Sequence, residues 1–276
     1  MTTPLGTLPT FSQVERSLWL TLCGRALDNR RDHPVLGDQR ADELVRTLDY
    51  DYRALKISSS SAIYIAHRAL KLDQIAQGFI DEHPDAIGID LGAGLDTRAY
   101  RIERSPEADW YDVDLPEVIT AREQLIPGLP RTHNLAADVA DPGWLDGIPS
   151  DRPAVVVADG VLAFFPLAEW RAILNQIVDH FPRGQIAFNG YSTFAVKAAK
   201  FAPVGKAVRA IMRSEGFDDP RTPESWNPKL QLAREILMTR EPEIEQFPAG
   251  LRWANRLSAH SAKFSRLGNV VLQYSF

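Results

Sequence analysis

The chain begins with a helical pattern of apolar residues and changes to a strand pattern near residue 86. Apolar side chains recur at helical spacing in three stretches, Phe11–Leu27, Asp38–Leu48 and Ala62–Glu82. These stretches precede any segment that resembles a strand. We therefore predict an N-terminal helical cap over residues 11–83, placed over the ligand edge of the sheet that follows.

From Ala86 onward, short apolar runs alternate with helical segments. The predicted strands are Ile87–Leu91, Trp110–Val113, Thr132–Leu135, Ala154–Ala158 and Gln185–Asn189, and the predicted helices between or after them are Leu115–Leu125, Gly143–Gly147 and Leu167–Phe181. Such alternation predicts an α/β fold, with a mainly parallel Rossmann-like sheet and helices on both faces.

The alternation stops after the last of these strands. Residues 191–240 form an amphipathic stretch with several basic residues and then a proline-rich piece, which we interpret as an inserted helical lid or substrate segment. A helix near Leu251–Ala262 and an apolar strand at Asn269–Phe276 follow. We predict one domain over residues 1–276, with a ligand-binding core at 84–190 and closure of the sheet by 241–276.

Composition narrows the class of protein. The 276 residues carry a net charge of -5, which gives no support for a nucleic-acid partner. The six histidines are scattered and there is one cysteine, so we expect no metal site and no disulfide framework. No apolar run approaches the roughly 18–20 residues that span a bilayer. Met1–Gly6 lacks the pattern of a secretion signal, and we expect a cytoplasmic protein with no membrane partner.

The first predicted strand leads into a glycine loop with the sequence Leu91-Gly92-Ala93-Gly94-Leu95-Asp96. Two glycines one residue apart allow the backbone to approach a ligand closely. A dinucleotide site would have a third glycine near Thr97. It would also have no anion at the start of the next helix, where free N–H groups attract phosphate. Asp96 stands there, so we predict a cationic nucleoside without phosphates, namely S-adenosylmethionine (SAM).

An acidic residue follows each of the next three strands. Asp114 lies about twenty residues beyond the glycines, where a carboxylate can accept hydrogen bonds from both ribose hydroxyls; it could instead cap the following helix. Asp138 could accept a hydrogen bond from the amine of adenine, or it could serve only in a turn. Asp159 would face the sulfonium or the substrate, or form a turn with Gly160. Phe164, in the same loop, is either core or an apolar wall beside the methyl donor.

Basic residues offer two further candidates. Arg68, in the third predicted helix, could hold a carboxylate with two hydrogen bonds, although a solvated charge on an amphipathic helix is the simpler interpretation. The basic side chains of the 191–240 segment either form a solvated helix face or steer anionic substrates. They are Lys197, Lys200, Lys206, Arg209 and Arg213.

Several motifs together resemble the leucine carboxyl methyltransferase superfamily, and within it the bacterial tetracenomycin-polyketide-type O-methyltransferases. The resemblance covers roughly Leu18 to Asn189. It rests on Thr21-Leu22-Cys23-Gly24-Arg25-Ala26-Leu27-Asp28, Asp49-Tyr50-Asp51-Tyr52, Leu91-Gly92-Ala93-Gly94-Leu95-Asp96-Thr97-Arg98, Tyr111-Asp112-Val113-Asp114-Leu115-Pro116-Glu117-Val118 and Ala158-Asp159-Gly160-Val161-Leu162. It implies a seven-stranded class I methyltransferase sheet with an antiparallel last strand. It also implies SAM as the methyl donor and a carboxyl or hydroxyl oxygen as the acceptor.

The resemblance also implies roles for individual residues. Arg68 would hold the SAM carboxylate, with Arg25 as a second contact; Asp114 would bind the ribose and Asp138 the adenine. The remaining cofactor contacts would be Gly92, Ala93, Gly94, Asp96, Leu115, Val139 and Asp159, and the candidates on the acceptor side are Asp159, Phe164 and Tyr191. The chain has Asp159 where the family usually has Glu, and Phe164 where it often has Tyr.

These observations predict in-line transfer of a methyl group from SAM to a small molecule, such as a polyketide-like metabolite. A carboxylate acceptor is ionised near pH 7 and needs no general base, whereas a phenol would need one. Two alternatives stay open: a SAM-binding protein with lost or residual catalysis, favoured by Asp159 and Phe164, and a nicotinamide-dependent oxidoreductase, opposed by the missing third glycine and by Asp96. The acceptor and the oligomeric state do not follow from the sequence.

Overall fold

The computed structural model describes residues 15–48, 52–199 and 212–276. Within these ranges the helices are α1 (Glu15–Asn29), α2 (Gln39–Thr47), α3 (Ser59–Glu82), α4 (Pro116–Leu125), α5 (Leu167–His180), α6 (Thr193–Ala199), α7 (Ala249–Ala259) and the single turn α8 (Ala262–Ser265). None of the helices described is long and apolar enough to cross a membrane. The same ranges contain no group of three or more His, Cys, Asp or Glu that could hold a metal ion.

A seven-stranded sheet forms the centre of the fold. Its strands are β1 (Ile87–Leu91), β2 (Asp109–Asp114), β3 (Thr132–Ala136), β4 (Ala154–Ala158), β5 (Gly184–Gly190), β6 (Gln231–Leu237) and β7 (Val270–Ser275). The spatial order is β3-β2-β1-β4-β5-β7-β6, and β7 alone runs in the direction opposite to the other six strands. The chain reverses its direction of strand addition between β3 and β4, so a ligand site is expected at the carboxyl ends of β1 and β4.

Burial explains why the central strands are apolar throughout. Every residue of β1 and β4 is buried, because helices cover both faces of the sheet. The edge strand β3 is instead half exposed. On one face, Leu72 and Ile75 of α3 pack with Trp110 of β2 and Val155 of β4. The last part of the predicted N-terminal cap therefore flanks the sheet as an ordinary layer helix.

The first two helices form a separate apolar cluster with α4. Leu18, Trp19 and Leu22 of α1 are buried in it, together with Leu44 of α2 and Val118 of α4. Asp38 begins α2 by accepting a hydrogen bond from the backbone N–H of Ala41 at 3.0 Å, which satisfies one of the free donors of the first turn. This packing holds α1 beside the carboxyl ends of β1 and β2.

Three sequence-based expectations are wrong in detail. Gly143–Gly147 forms turns rather than a helix, and β6 occupies residues 231–237 within the segment predicted as a helical lid. No α-helix begins after the glycine loop, where only a 3-10 turn at Arg98–Tyr100 forms. The predicted helix start at residues 11–14, the motif residues Asp49, Tyr50 and Asp51, and Lys200, Lys206 and Arg209 lie outside the described residues.

Candidate active site

The glycine loop follows β1 and forms one wall of a cavity of about 280 Å³. Gly92 and Gly94 both have a positive φ, +65° and +52°, which is a backbone conformation that residues other than glycine rarely adopt. A Cβ on Gly92 would lie 2.6 Å from Cγ2 of Val161. The two glycines therefore let the loop fold tightly against the segment after β4.

The backbone N–H groups of this loop are already used inside the protein. Those of Gly92 and Ala93 donate to the carbonyl of Val113, at 2.8 and 3.1 Å, and that of Gly94 donates to the Asp114 carboxylate at 2.7 Å. The N–H of Asp96 donates to the carbonyl of Ala93. A phosphate-binding loop offers such N–H groups to its ligand, and these four donors are already engaged.

Asp96 has a different role from the one its position suggested. Its carboxylate is buried and forms ion pairs with Arg25 at 3.3 Å, Arg98 at 3.5 Å and Arg101 at 2.9 Å. Burial alone would raise the pKa of Asp96, but Arg101, Arg25 and Arg98 hold it well below its ordinary value. Since no α-helix starts here and the charge is paired, the predicted repulsion of pyrophosphate by Asp96 is wrong as a physical argument.

Asp90, in β1, adds a further carboxylate to this buried network. It pairs with Arg98 at 2.7 Å, while Asp73 pairs with Arg98 and Arg101, each at 2.6 Å. Asp38 binds Arg25 at 3.1 Å and Arg101 at 2.7 Å. The network that these described ion pairs define holds four carboxylates, those of Asp38, Asp73, Asp90 and Asp96, against three guanidinium groups, those of Arg25, Arg98 and Arg101.

Asp90 belongs to this network, which has one more carboxyl group than guanidinium groups. Asp90 lines the wall and is 1% exposed. Burial raises its pKa to about 8, more than Arg98 lowers it, and the negative charges of Asp96 and Asp112 act in the same direction as burial. The wall of the cavity therefore carries a group that a nearby cation would hold ionised.

Asp114 occupies the end of β2 and connects the two loops that line the cavity. One carboxylate oxygen accepts from Gly94, and the other accepts from the N–H of Leu115 at 2.8 Å. Burial raises the pKa of Asp114, and these two backbone hydrogen bonds lower it. Each oxygen has a second lone pair, so the side chain could accept hydrogen bonds from the two ribose hydroxyls while it keeps the loops in place. Capping and ligand binding are thus compatible.

Asp138 lies after β3 on the exposed side of the same cavity. Its carboxylate accepts from the N–H of Ala140 at 2.9 Å, which is turn chemistry. Leu115 and the buried Val139 flank it in the cavity wall. The two apolar side chains and the carboxylate together could hold a flat base, with the carboxylate at its edge.

Arg68 and Asp159 form an ion pair beside the cavity. Asp159 follows β4 and lines the cavity, whereas Arg68, on α3, is not part of its wall. A Cβ on Gly160 would lie 3.9 Å from an Nη atom of Arg68. The two charged side chains have 12% and 8% exposure, so both are largely removed from water. Arg68 could pair with the carboxylate of an α-amino acid ligand, and Asp159 could pair with its ammonium group.

The predicted acceptor-side residues separate into two places. Phe164 and Phe165 are half-buried and line the cavity. Tyr191, directly after β5, lies outside the cavity wall. Burial raises the pKa of Tyr191, so the hydroxyl is protonated near neutral pH.

Helix α1 supplies cavity residues that the motif analysis did not assign. Ser17, Leu18 and Thr21 line the cavity with Arg25, at spacings that place them along one face of the helix. The Arg25 guanidinium also donates to the carbonyl of Leu95 at 3.0 Å, so it already holds three groups of the protein. The helical periodicity of this stretch could have indicated the face, but not that it turns toward the loop.

The seven-stranded order with one reversed strand and a ligand cavity at the carboxyl ends of β1, β2 and β4 define the class I methyltransferase fold. Among solved structures, a candidate methyltransferase from Thermobifida fusca aligns with a TM-score of 0.57 at 17% identity, covering 91% of this chain and 93% of that one. At 17% identity, this similarity shows that the two proteins share a fold.

Sequence comparisons identify the family. The leucine carboxyl methyltransferase family profile matches residues 19–178. The tetracenomycin polyketide synthesis O-methyltransferase TcmP of Streptomyces glaucescens is 34% identical over 95% of this chain and 97% of its own length. The SAM-dependent methyltransferase dpfgK of Gibberella zeae is 28% identical over 80% of this chain and 81% of its own. The chain belongs to the leucine carboxyl methyltransferase family and is a SAM-dependent methyltransferase.

Proposed function

We propose that the protein transfers the methyl group of SAM to a carboxylate oxygen of a small, polyketide-like molecule. The observation that carries the cofactor half of the proposal is the set of carboxyl groups in the cavity wall. Five carboxyl groups line it, with Arg25 as the one cationic side chain among the described lining residues; the acids are Asp90, Asp96, Asp114, Asp138 and Asp159. Asp96 and Asp159 are paired with arginines, whereas Asp114 and Asp138 have no arginine partner among the described ion pairs. Such carboxylates suit a ligand that offers hydroxyl and amine donors.

Each end of the cofactor has a matching group in the structure. Asp114 would take the ribose hydroxyls, and Asp138 with Leu115 and Val139 would take the adenine. Arg68 would hold the carboxylate, and its partner Asp159 would face the ammonium group. Arg25 is the weaker candidate for a second carboxylate contact, because its guanidinium group already binds Asp38, Asp96 and the Leu95 carbonyl.

When bound, SAM supplies an electrophilic methyl group on a positively charged sulfur. The protein's contribution to rate is alignment of the acceptor and exclusion of water. Phe164 and Phe165 would form an apolar wall near the reacting atoms. An acceptor oxygen forms the new O–CH₃ bond with its own lone pair, and the electrons of the broken C–S bond return to sulfur. A carboxylate acceptor has no proton to release.

The choice of a carboxylate over a phenol rests on the absence of a suitable base. No histidine occurs among the described residues that line the cavity, and the carboxyl groups of Asp90 and Asp159 are paired with Arg98 and Arg68. A phenol, with a pKa near 10, would need such a base, whereas a carboxylic acid is already ionised near neutral pH. The name of the family supports a carboxyl group as the acceptor, and the name of TcmP supports a polyketide.

The type of bond formed tests this proposal. The protein is incubated with SAM labelled in its methyl group and with aromatic acids that also carry a phenol, such as 3-hydroxy-2-naphthoic acid. We expect labelled product that releases its label as methanol in mild alkali, because a methyl ester is hydrolysed and an aryl methyl ether is not. Alkali-stable label would assign the hydroxyl oxygen instead.

A further inference from the structure

The buried ion-pair network beside the cofactor cavity has more negative groups than positive ones. Four carboxyl groups and three guanidinium groups make up the network, and all seven side chains are largely buried; they belong to Asp38, Asp73, Asp90, Asp96, Arg25, Arg98 and Arg101. With every member ionised, one negative charge would lack a counter-charge away from water, which is unfavourable.

Asp90 is the carboxyl group with the fewest partners in this network. The other three carboxyl groups each bind at least two arginines. Asp38 also accepts hydrogen bonds from the hydroxyl of Thr97 and the N–H of Ala41. Among the described residues, Asp90 forms an ion pair with Arg98 alone, and this 2.7 Å contact lacks the alignment of a hydrogen bond. The unbalanced charge therefore falls on Asp90.

The charged groups around Asp90 do not correct this imbalance. Asp112, which is opposite Asp90 in the pairing of β1 with β2, forms an ion pair with Arg122 of α4. On the other side, Asp159 after β4 forms an ion pair with Arg68 of α3. Each of these pairs is neutral overall. None of the described charged residues on β2, β4, α3 and α4 thus offers Asp90 an unpaired cation.

Asp90 also faces the cofactor cavity. It lines the wall beside Gly92 and Ala93, whereas Asp38 and Asp73 are not part of that wall. A ligand in the cavity therefore reaches the group that lacks a counter-charge. A cation placed there would balance the network with Asp90 ionised, and a neutral ligand would leave Asp90 in need of a proton.

The cofactor before and after methyl transfer differs by one positive charge. SAM carries a sulfonium, an ammonium and a carboxylate group, and so has one net positive charge. S-adenosylhomocysteine has a neutral thioether in place of the sulfonium and no net charge. The unbalanced carboxylate of the network thus complements the charge of SAM and not that of the product.

We propose that Asp90 responds to the charge on the sulfur of the cofactor: its carboxyl group releases a proton to solvent when SAM binds and keeps that proton when S-adenosylhomocysteine binds. After methyl transfer, when the sulfur has lost its charge, Asp90 takes a proton back from solvent. The inference rests on the proposed function, because it assumes that the cofactor binds in the acid-lined cavity. Its consequence is that pH sets the preference of the protein for SAM over the product.

The direction of this effect follows from the protonation of the empty cavity. Burial raises the pKa of Asp90 to about 8, so the group is protonated near neutral pH when no ligand is bound. Below that value, binding that requires ionised Asp90 becomes tighter as the pH rises, by up to about tenfold per pH unit. The affinity for SAM should therefore rise relative to the affinity for S-adenosylhomocysteine between pH 6 and 7.

Counting protons during binding tests the proposal. Calorimetric titrations at pH 6.5, in two buffers with different enthalpies of ionisation, give the number of protons released with each ligand. Amino groups of this type titrate at about 7.7–8.0, so both ligands keep their ammonium group at this pH. We expect SAM to release about one proton more than S-adenosylhomocysteine. Asp114, whose pKa burial also raises, would contact the ribose that both ligands share, so the difference between the ligands isolates Asp90.

Two variants assign the proton to a residue. Asp90→Asn retains the shape of the side chain but has no proton to release, so the difference in proton release between the two ligands should disappear, and the ratio of their affinities should not change between pH 6 and 7. Asp138→Asn is the matched control, because Asp138 also lines the cavity but is exposed to water. This variant should keep the proton difference of the wild type.

Binding of S-adenosylhomocysteine by both variants shows that they are folded, and the comparison of the two ligands in the wild type does not depend on them. Equal proton release with SAM and S-adenosylhomocysteine in the wild type, or an undiminished difference in Asp90→Asn, would each overturn the role of Asp90 alone. A wild-type protein that binds neither ligand would overturn the proposed function instead.

Discussion

Arg68 on α3 and Asp159 after β4 form an ion pair across 91 positions of sequence. Asp159 lines the cofactor cavity, whereas Arg68 is not part of its wall. The ion pair therefore joins the helix layer to the sheet at the edge of the cofactor cavity.

Replacing Arg68 alone should be more harmful than replacing both members of the pair. Arg68→Met leaves the largely buried Asp159 carboxylate without its partner, and we expect a loss of about 3 kcal/mol in the free energy of unfolding. The double variant Arg68→Met/Asp159→Leu removes both charges and should recover part of that loss. Urea denaturation of the two variants and the wild type measures these differences in the free energy of unfolding. A double variant less stable than Arg68→Met would refute the pairing as an energetic unit.

Gly92→Ala should destabilise the fold through contact with Val161. The substitution places a Cβ at φ +65° and 2.6 Å from a buried methyl group, so we expect a loss of about 2 kcal/mol or more. Gly78→Ala, on the exposed face of α3 with nothing within 4 Å, is the control and should stabilise by about 0.5–1 kcal/mol. Thermal melting of both variants checks the prediction. A neutral Gly92→Ala would mean that the loop does not need its tight turn.

Asp114→Asn should weaken binding of S-adenosylhomocysteine by roughly 1–3 kcal/mol. The amide has one oxygen in place of two, so it cannot accept from Gly94, Leu115 and two ribose hydroxyls at once. Isothermal titration calorimetry gives the affinity. Asp138→Asn is the companion variant, and it should lose less affinity for S-adenosylhomocysteine because Asp138 is exposed to water. Wild-type affinity in a folded Asp114→Asn protein would remove the ribose assignment.

The pKa of Asp90 predicts a slope of stability with pH. Its pKa rises from 3.8 to about 8 on folding, chiefly through burial, so between these values the folded state binds a proton that the unfolded state lacks. Stability from this group is complete below pH 4 and declines as the pH rises toward 8, by at most about 1.4 kcal/mol per pH unit. Asp96, with its lowered pKa, is ionised in both states above pH 6 and adds no slope there.

Asp90→Asn is the variant that isolates this effect. It should show a flatter dependence of the unfolding free energy on pH between 6 and 8.5 than the wild type, because the other titrating groups are common to both proteins. Denaturation curves at several pH values provide the comparison. Parallel pH profiles for the two proteins would show that Asp90 is ionised in the folded state throughout this range.

The sequence predicted those parts of the molecule that depend on local pattern. Five parallel strands, the C-terminal strand and the positions of Asp114, Asp138 and Asp159 at strand ends are confirmed, because apolar runs and spacings determine them, whereas the total of seven strands was implied by the family resemblance and is also confirmed. β6 was missed because three of its seven residues are polar or charged and its pattern is interrupted by a bulge between Leu232 and Arg234.

What could not be predicted depends on contacts between distant segments. Asp96 was interpreted as a charge facing the ligand, yet Arg25 from α1 and Arg101 from the following turn neutralise it. No spacing rule relates Arg25 to Asp96. The pairing of Arg68 with Asp159 likewise requires α3 to pack beside β4, which the sequence does not specify at the level of single side chains.

Calorimetric titration of the wild-type protein with SAM, and separately with NADPH, tests the central claim most directly. The acid-lined cavity and its engaged loop N–H groups predict binding of SAM with a stoichiometry of one and no heat of binding from NADPH. Binding of NADPH without binding of SAM would contradict the assignment of the cavity and the roles given to Asp114 and Arg68.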